Sequence, residues 1–409
     1  MNSATKDTVS LSNRITEIPN HGFDRLTMSA CRLTMSACFI LFFSFSCGST
    51  EDIFPPLPTS TDTATLELPN PVSVAADPAN GQILVVNSNV DFFFDQGSIA
   101  VIAVDASDPG APVLTAQAIA TAPNFGGAIA FDGNSAYVPF REAMEGDDSS
   151  DQVLRYAVSA GAIANDITVA SGKNPFGVAV NASVVVVASD KELNVYDDAL
   201  TPLRDVDLTT ANAAAIEDSK SNRVENVAFD AATGRAYVTN RGGKILVVNP
   251  GSGTLTHVIS APANSRGIAT DGTFLYVVDG NPPSVWILDP SRLAEAESPP
   301  QEVDDSELLV AVVSIGADPN GIAVDPAANR AYVASTGDHS ISVIDLNLFA
   351  EIARVPLRDD DTGLEDAKSP FGVSVGTFGG TTFVFTANFD TNNISVIRAD
   401  TLDVVAVFP

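Results

Sequence analysis

Residues 226–249 read NVAFDAATGRAYVTNRGGKILVVN. Three short apolar runs stand in this stretch: Val227-Ala228-Phe229, Ala236-Tyr237-Val238 and Ile245-Leu246-Val247-Val248. Asp, Gly and Asn separate them. Runs this short, rich in β-branched and aromatic residues and bounded by turn formers, predict buried strands rather than helices.

The first run recurs through the chain. Ser73-Val74-Ala75-Ala76-Asp77, Ala128-Ile129-Ala130-Phe131-Asp132 and Gly177-Val178-Ala179-Val180-Asn181 precede it, and copies centred on Ile268, Ile322 and Val373 follow. The second residue of each copy falls at 74, 129, 178, 227, 268, 322 and 373, giving gaps of 55, 49, 49, 41, 54 and 51. A period of about 40–50 residues with four strand-like runs per unit is the pattern of β-propeller blades. One four-stranded sheet cannot bury both of its faces alone, and closure into a ring supplies every blade with two neighbours. The expected fold is therefore all-β, a seven-bladed β-propeller of four-stranded antiparallel blades over residues 63–409.

The motif Tyr237-Val238-Thr239-Asn240 resembles the signature of the YVTN-type β-propeller repeat family. Degenerate copies stand at Ala331-Tyr332-Val333-Ala334-Ser335, Leu275-Tyr276-Val277-Val278-Asp279 and Phe385-Thr386-Ala387-Asn388. Ile341-Ser342-Val343-Ile344-Asp345 and Ile394-Ser395-Val396-Ile397 resemble the family's third-strand motif. The resemblance implies the fold. Its looser relatives include lactonase-like enzymes and cofactor-binding propellers, so it leaves the activity open.

Past Cys47 the chain carries 17 Lys and Arg against 48 Asp and Glu, a formal charge of −31. Such a field repels phosphate backbones and anionic headgroups, which argues against nucleic acid as a partner. The three cysteines, Cys31, Cys38 and Cys47, all precede the repeats, so the ring has neither a disulfide nor a thiolate ligand. A monomer held together by blade packing is expected.

Residues 1–46 read as a targeting segment. Arg25 and Arg32 precede the apolar run Phe39-Ile40-Leu41-Phe42-Phe43, too short to span a bilayer, and RLTMSAC occurs twice, at 25–31 and 32–38. Ser44-Phe45-Ser46-Cys47 resembles a bacterial lipobox, with Ser44 where such motifs place Leu. Lipidation of Cys47 and simple secretion are the two readings; Ser49 points the lipidated form to the outer membrane, and the alternative is a secreted or periplasmic protein. Residues 47–62, with Pro55, Pro56 and Pro58, are expected to form a flexible tether. Residues 65–68 and 403–408 are strand-like and are expected to meet at the ring-closing seam.

Turns between first and second strands are short Asx/Gly turns, whereas insertions accumulate in the loops that follow second and fourth strands, at residues 89–97, 141–151, 211–225 and 356–369. Long loops on one rim of a rigid scaffold are the usual place for binding. Residues 290–305 are an exception on the other face and read as a solvated loop.

Four groups of candidates follow. Asp359, Asp360, Asp361 and Glu365, with Asp147, Asp148 and Asp151, could hold Ca²⁺ or simply be solvated acids. Arg141, Lys191, Arg241 and His339 stand just past second strands and Arg266 opens a first strand; they could receive a carboxylate or pair with local acids. Phe92, Phe93 and Phe94 fold back as a plug or offer a partner patch, with Phe140, Phe176 and Phe371 near other junctions. Glu225, Asn124 and Asn320 could converge at the channel on a divalent cation.

Catalytic motifs are scarce: there is no G-x-S-x-G elbow, His pair or P-loop, and His257 reads as an outer-edge residue. The expectation is a binding or scaffold protein presenting its loop face to a protein or small ligand. The alternative is a lactonase-like or other hydrolase with a channel-bound cation.

Overall fold

The computed structural model describes residues 54–57, 61, 66–141, 151–181, 183–209, 224–295, 299–357 and 366–409. Cys47, Asp147, Asp148, Asp359, Asp360, Asp361, Glu365 and most of the 211–225 insertion lie outside these residues. The described residues form seven sheets in chain order: blade 1 (71–122), blade 2 (130–170), blade 3 (177–207), blade 4 (224–260), blade 5 (265–314), blade 6 (319–356) and blade 7 (370–408). Each blade holds four antiparallel strands in chain order, and the blade 4 sheet gains a fifth strand, Gln301–Val303, at its outer edge. The motif 237–240 lies in the second strand of blade 4, Arg235–Asn240, paired on both sides.

Among the described residues seven apolar clusters hold the blades: six join consecutive sheets and the seventh joins the last sheet to the first. One joins Tyr237 and Ile245 of blade 4 to Leu275 and Val277 of blade 5. Another joins Ile83 and Val85 of blade 1 to Phe383, Phe385 and Val396 of blade 7, which closes the ring. Both faces of the second and third strands are thereby buried, which is why they read as continuous apolar runs.

Glycine marks the tightest approach between first strands. A Cβ on Gly267 would lie 2.3 Å from the Asn320 carbonyl oxygen of blade 6, and one on Gly372 would lie 2.6 Å from the Val72 carbonyl oxygen of blade 1. No real side chain tolerates such contacts, so the glycines in GIA- and GVS-type runs answer to the neighbouring blade and not to their own sheet.

Two readings change. Residues 290–305 are not simply solvated. Pro290–Arg292 form a 3-10 turn, Gln301–Val303 pair in parallel with the fourth strand of blade 4, Thr254–Ser260, and Asp305–Leu308 form a one-turn helix with a capping box. Leu293, Val303 and Leu308 are buried in the blade 4–5 core, so apolar residues spaced through an otherwise polar segment fasten it. His257 consequently lies beneath this cover at 1% exposure, with Nε2 3.1 Å from the Ala294 carbonyl oxygen, and burial lowers its pKa.

At the seam, residues 66–69 form no strand, yet Leu66 and Leu68 are buried in the blade 7–1 core. All four strands of blade 7 come from the C-terminal stretch, ending in Val404–Phe408. Among the described residues, side-chain packing closes the ring and no strand is exchanged between its ends.

Candidate functional site

The antiparallel order puts the loops after second and fourth strands on one face. First strands pack side by side around the ring axis, and in blades 4 to 7 each begins with a bulge on this face. The pairing skips between Val224 and Val227, Ser265 and Ile268, Pro319 and Ile322, and Pro370 and Val373. A bulge re-aims the side chains of the two residues it sets opposite one partner. Glu225, Arg266, Asn320 and Phe371 occupy the first bulge position in successive blades. They share one structural position at the loop-face mouth of the ring.

These residues are engaged differently. The Arg241 Nε lies 2.7 Å from Glu225 Oε1 within blade 4, and Glu225 is buried. Arg266 crosses to blade 6: its Nη1 donates to Asp318 Oδ1 at 2.6 Å, Asn320 Oδ1 at 3.1 Å and the Pro319 carbonyl at 3.2 Å. Asn320 Nδ2 donates to Thr336 Oγ1 at 2.7 Å, and Thr336 donates to the Pro370 carbonyl of blade 7 at 2.6 Å. A polar relay thus links blades 5, 6 and 7 at the mouth. The Arg266 Nε is buried without a hydrogen-bond partner among the described residues. Nearby, burial raises the Asp279 carboxyl above its ordinary value, against hydrogen bonds from Asn281 and Gly280 and the Arg266 charge.

The other sequence candidates are dispersed. Asn124 accepts from Asn89 Nδ2 at 2.8 Å between blades 1 and 2. Glu225, Asn124 and Asn320 therefore hydrogen-bond or pair with three separate neighbours. Among the described residues there is no group of three or more His, Cys, Asp or Glu arranged to hold a metal. His339, in the left-handed region at φ 52°, accepts the Ser369 N–H at its Nδ1 at 3.1 Å. Arg141 is half-buried and Lys191 exposed. Asp151 accepts the Asn174 N–H at 2.7 Å.

The phenylalanine loop is folded back. Phe92 stacks on Phe54 at 5.5 Å and meets Phe125 edge-on at 5.3 Å, whereas Phe93 is 48% exposed. Phe140 is a core residue between blades 1 and 2, and Phe371 approaches Phe389 at 6.5 Å. Asp318, Thr336 and Phe54 are participants that sequence reading missed. Asp318 lies in ADPNG, two residues before a flagged asparagine, and a register comparison of first-strand starts would have placed it at the mouth.

Apart from the 290–305 cover, the opposite face is finished by Asx turns. Asp230 accepts from the Ala232 N–H, Asp271 from Thr273 and Phe274, Asp325 from Ala327 and Ala328, and Asp345 from Asn347 and Leu348. Part of the negative charge is thus turn chemistry.

No family model and no curated protein matches the chain. Among solved structures it is similar to Kuenenia stuttgartiensis hydrazine synthase, at 15% identity over 88% of this chain and 100% of that one, with a TM-score of 0.59. It is also similar to the WD40 β-propeller domain of Doa1, at 10% identity over 81% of this chain and 93% of that one, with a TM-score of 0.57. At these identities the likeness is one of fold, and the fold is a seven-bladed β-propeller.

Proposed function

We propose that this protein is an extracytoplasmic binding or scaffold propeller of the YVTN-repeat type, delivered to the bacterial outer membrane through Cys47, that presents its loop face to a protein or small ligand. The observation that supports the reading is the asymmetry of the ring. Apart from the 290–305 cover, tight Asx turns finish one face, while the other carries the remaining insertions of the sequence, the first-strand bulges and the Arg266–Asn320–Thr336 relay. Rigid scaffolds with one decorated rim bind there. The cation-dependent hydrolase draws no comparable support, because Arg241 already engages the Glu225 carboxylate.

The test compares full-length baits in envelope extracts. Arg141→Glu with Lys191→Glu alters the loop face, and Asp108→Lys with Asp400→Lys alters the turn face. Loss of a specific captured partner only with the first pair is expected. Equal loss with both pairs, or capture indifferent to both, would sink the reading. Labelled palmitate should enter the wild type in a bacterial host and not Cys47→Ser.

A further inference from the structure

Residues 54–57, Phe-Pro-Pro-Leu, are seated on the blade 1 loop that joins its second and third strands, Gln82–Asn87 and Gly97–Asp105. The seat uses side chains and backbone together. Phe54 stacks on Phe92 with an interplanar angle of 24°, and Phe125 meets Phe92 edge-on. Asp95 grips the segment twice: its N–H donates to the Pro55 carbonyl at 3.0 Å, and its Oδ1 accepts the Leu57 N–H at 3.1 Å. Leu57 is only 6% exposed.

The loop's own shape is held from within. Asn89 and Phe92 take left-handed backbone at φ 47° and 53°. The Asn89 side chain accepts the Phe94 N–H at 3.2 Å, donates to the Phe94 carbonyl at 2.8 Å, and reaches Asn124 across the blade boundary. A Pro-Pro segment is already extended and loses little conformational entropy on docking, and aromatic seats are its usual partners.

We propose that this loop is a peptide clamp for extended aromatic–Pro–Pro–aliphatic segments, and that the chain's own residues 54–57 are its resident occupant. The proposal deepens the reading of the loop face as the binding face by naming a partner class, a protein segment of that chemistry. Only residues 58–65 separate the occupant from Leu66 in the ring core. Over so short a connection the effective concentration is on the order of millimolar. A competing segment must overcome it, and doing so releases the N-terminal stretch from the rim.

The test uses the full chain and a fluorescent peptide of residues 51–60, EDIFPPLPTS, followed by anisotropy. Phe54→Ser with Leu57→Ser empties the clamp and should bind the peptide at least tenfold tighter than the wild type. Adding Phe92→Ser should remove at least tenfold of that affinity. In the wild type, amide exchange at Leu57 and Asp95 should be protected, and Phe54→Ser should speed both at least tenfold while second-strand amides stay unchanged. Equal peptide affinity in emptied and wild-type protein, affinity indifferent to Phe92→Ser, no binding by any form, or unprotected Leu57 and Asp95 amides would each overturn the clamp. None of these variants touches Arg141 or Lys191, so failure here leaves the extract experiment able to succeed, and the reverse.

Discussion

Glu225 and Arg241 show how one buried residue pair can be decisive for stability. Both side chains are largely buried, at 8% and 15% exposure. Removing one member of such a pair strands the other charge, whereas removing both leaves a neutral contact. Arg241→Met alone should therefore cost about 3–5 kcal/mol. Adding Glu225→Gln should recover a large part of that loss, read from urea unfolding in a double-mutant cycle. A fully additive cycle would show that the pair is not coupled. Gly267 carries a different constraint. Its Cβ position is filled by the Asn320 carbonyl, so Gly267→Ala forces two blades apart and should cost about 1–3 kcal/mol, measured in the same way.

At the scale of single elements, turns set the response to acid. Asp197 is held below its ordinary pKa by hydrogen bonds from the Thr201 backbone and side chain and from Ala199, and Asp289 by the Ser291 hydroxyl and N–H. A carboxylate with a depressed folded pKa contributes stability that is present above its unfolded value, about 3.9, and is lost as pH falls through the folded value. Asp197→Asn keeps an acceptor and removes the charge. Its melting temperature should lie below that of the wild type at pH 6, and the difference should shrink and vanish as pH falls through the depressed folded pKa. A comparison of this kind cancels the relief of global repulsion that acid brings to an acidic chain. The cover strand Gln301–Val303 makes a separate prediction. Val303→Asp should speed amide exchange in the cover and expose His257, leaving Arg235–Asn240 protected.

For the whole molecule, closure is the controlling feature. Leu68 has 1% exposure in the core between the first and last blades, although it belongs to no strand. Leu68→Ala should cost about 2–5 kcal/mol with an unchanged denaturant slope, because the ring still unfolds as one body. A change below about 0.5 kcal/mol would mean that residues 66–69 lie outside the cooperative unit. The seated segment also bears on orientation. Phe54 lies seven residues after Cys47, a separation of at most about 24 Å when fully extended. With lipid on Cys47 the loop face is held that close to the bilayer surface, and vesicle-borne quenchers should dim a probe at Phe93 and spare one at Asp108.

The count of blades, the all-β class and the location of the seam were legible in the chain because they rest on local signals. Val227, Tyr237 and Ile245 stand in short runs bounded by their own turn residues, and repetition multiplies that signal sevenfold. The mouth and the clamp were not legible in the same way. Glu225, Arg266 and Asn320 could be suspected from their place before first strands, but the bulges that equate them appear only once strands pair. Arg266 finds Asp318 52 residues away, and Leu57 finds Asp95 38 residues away. Sequence neighbours decide strands and turns, but contacts between blades are decided by closure of the ring, which brings together residues whose local patterns carry no mark of one another.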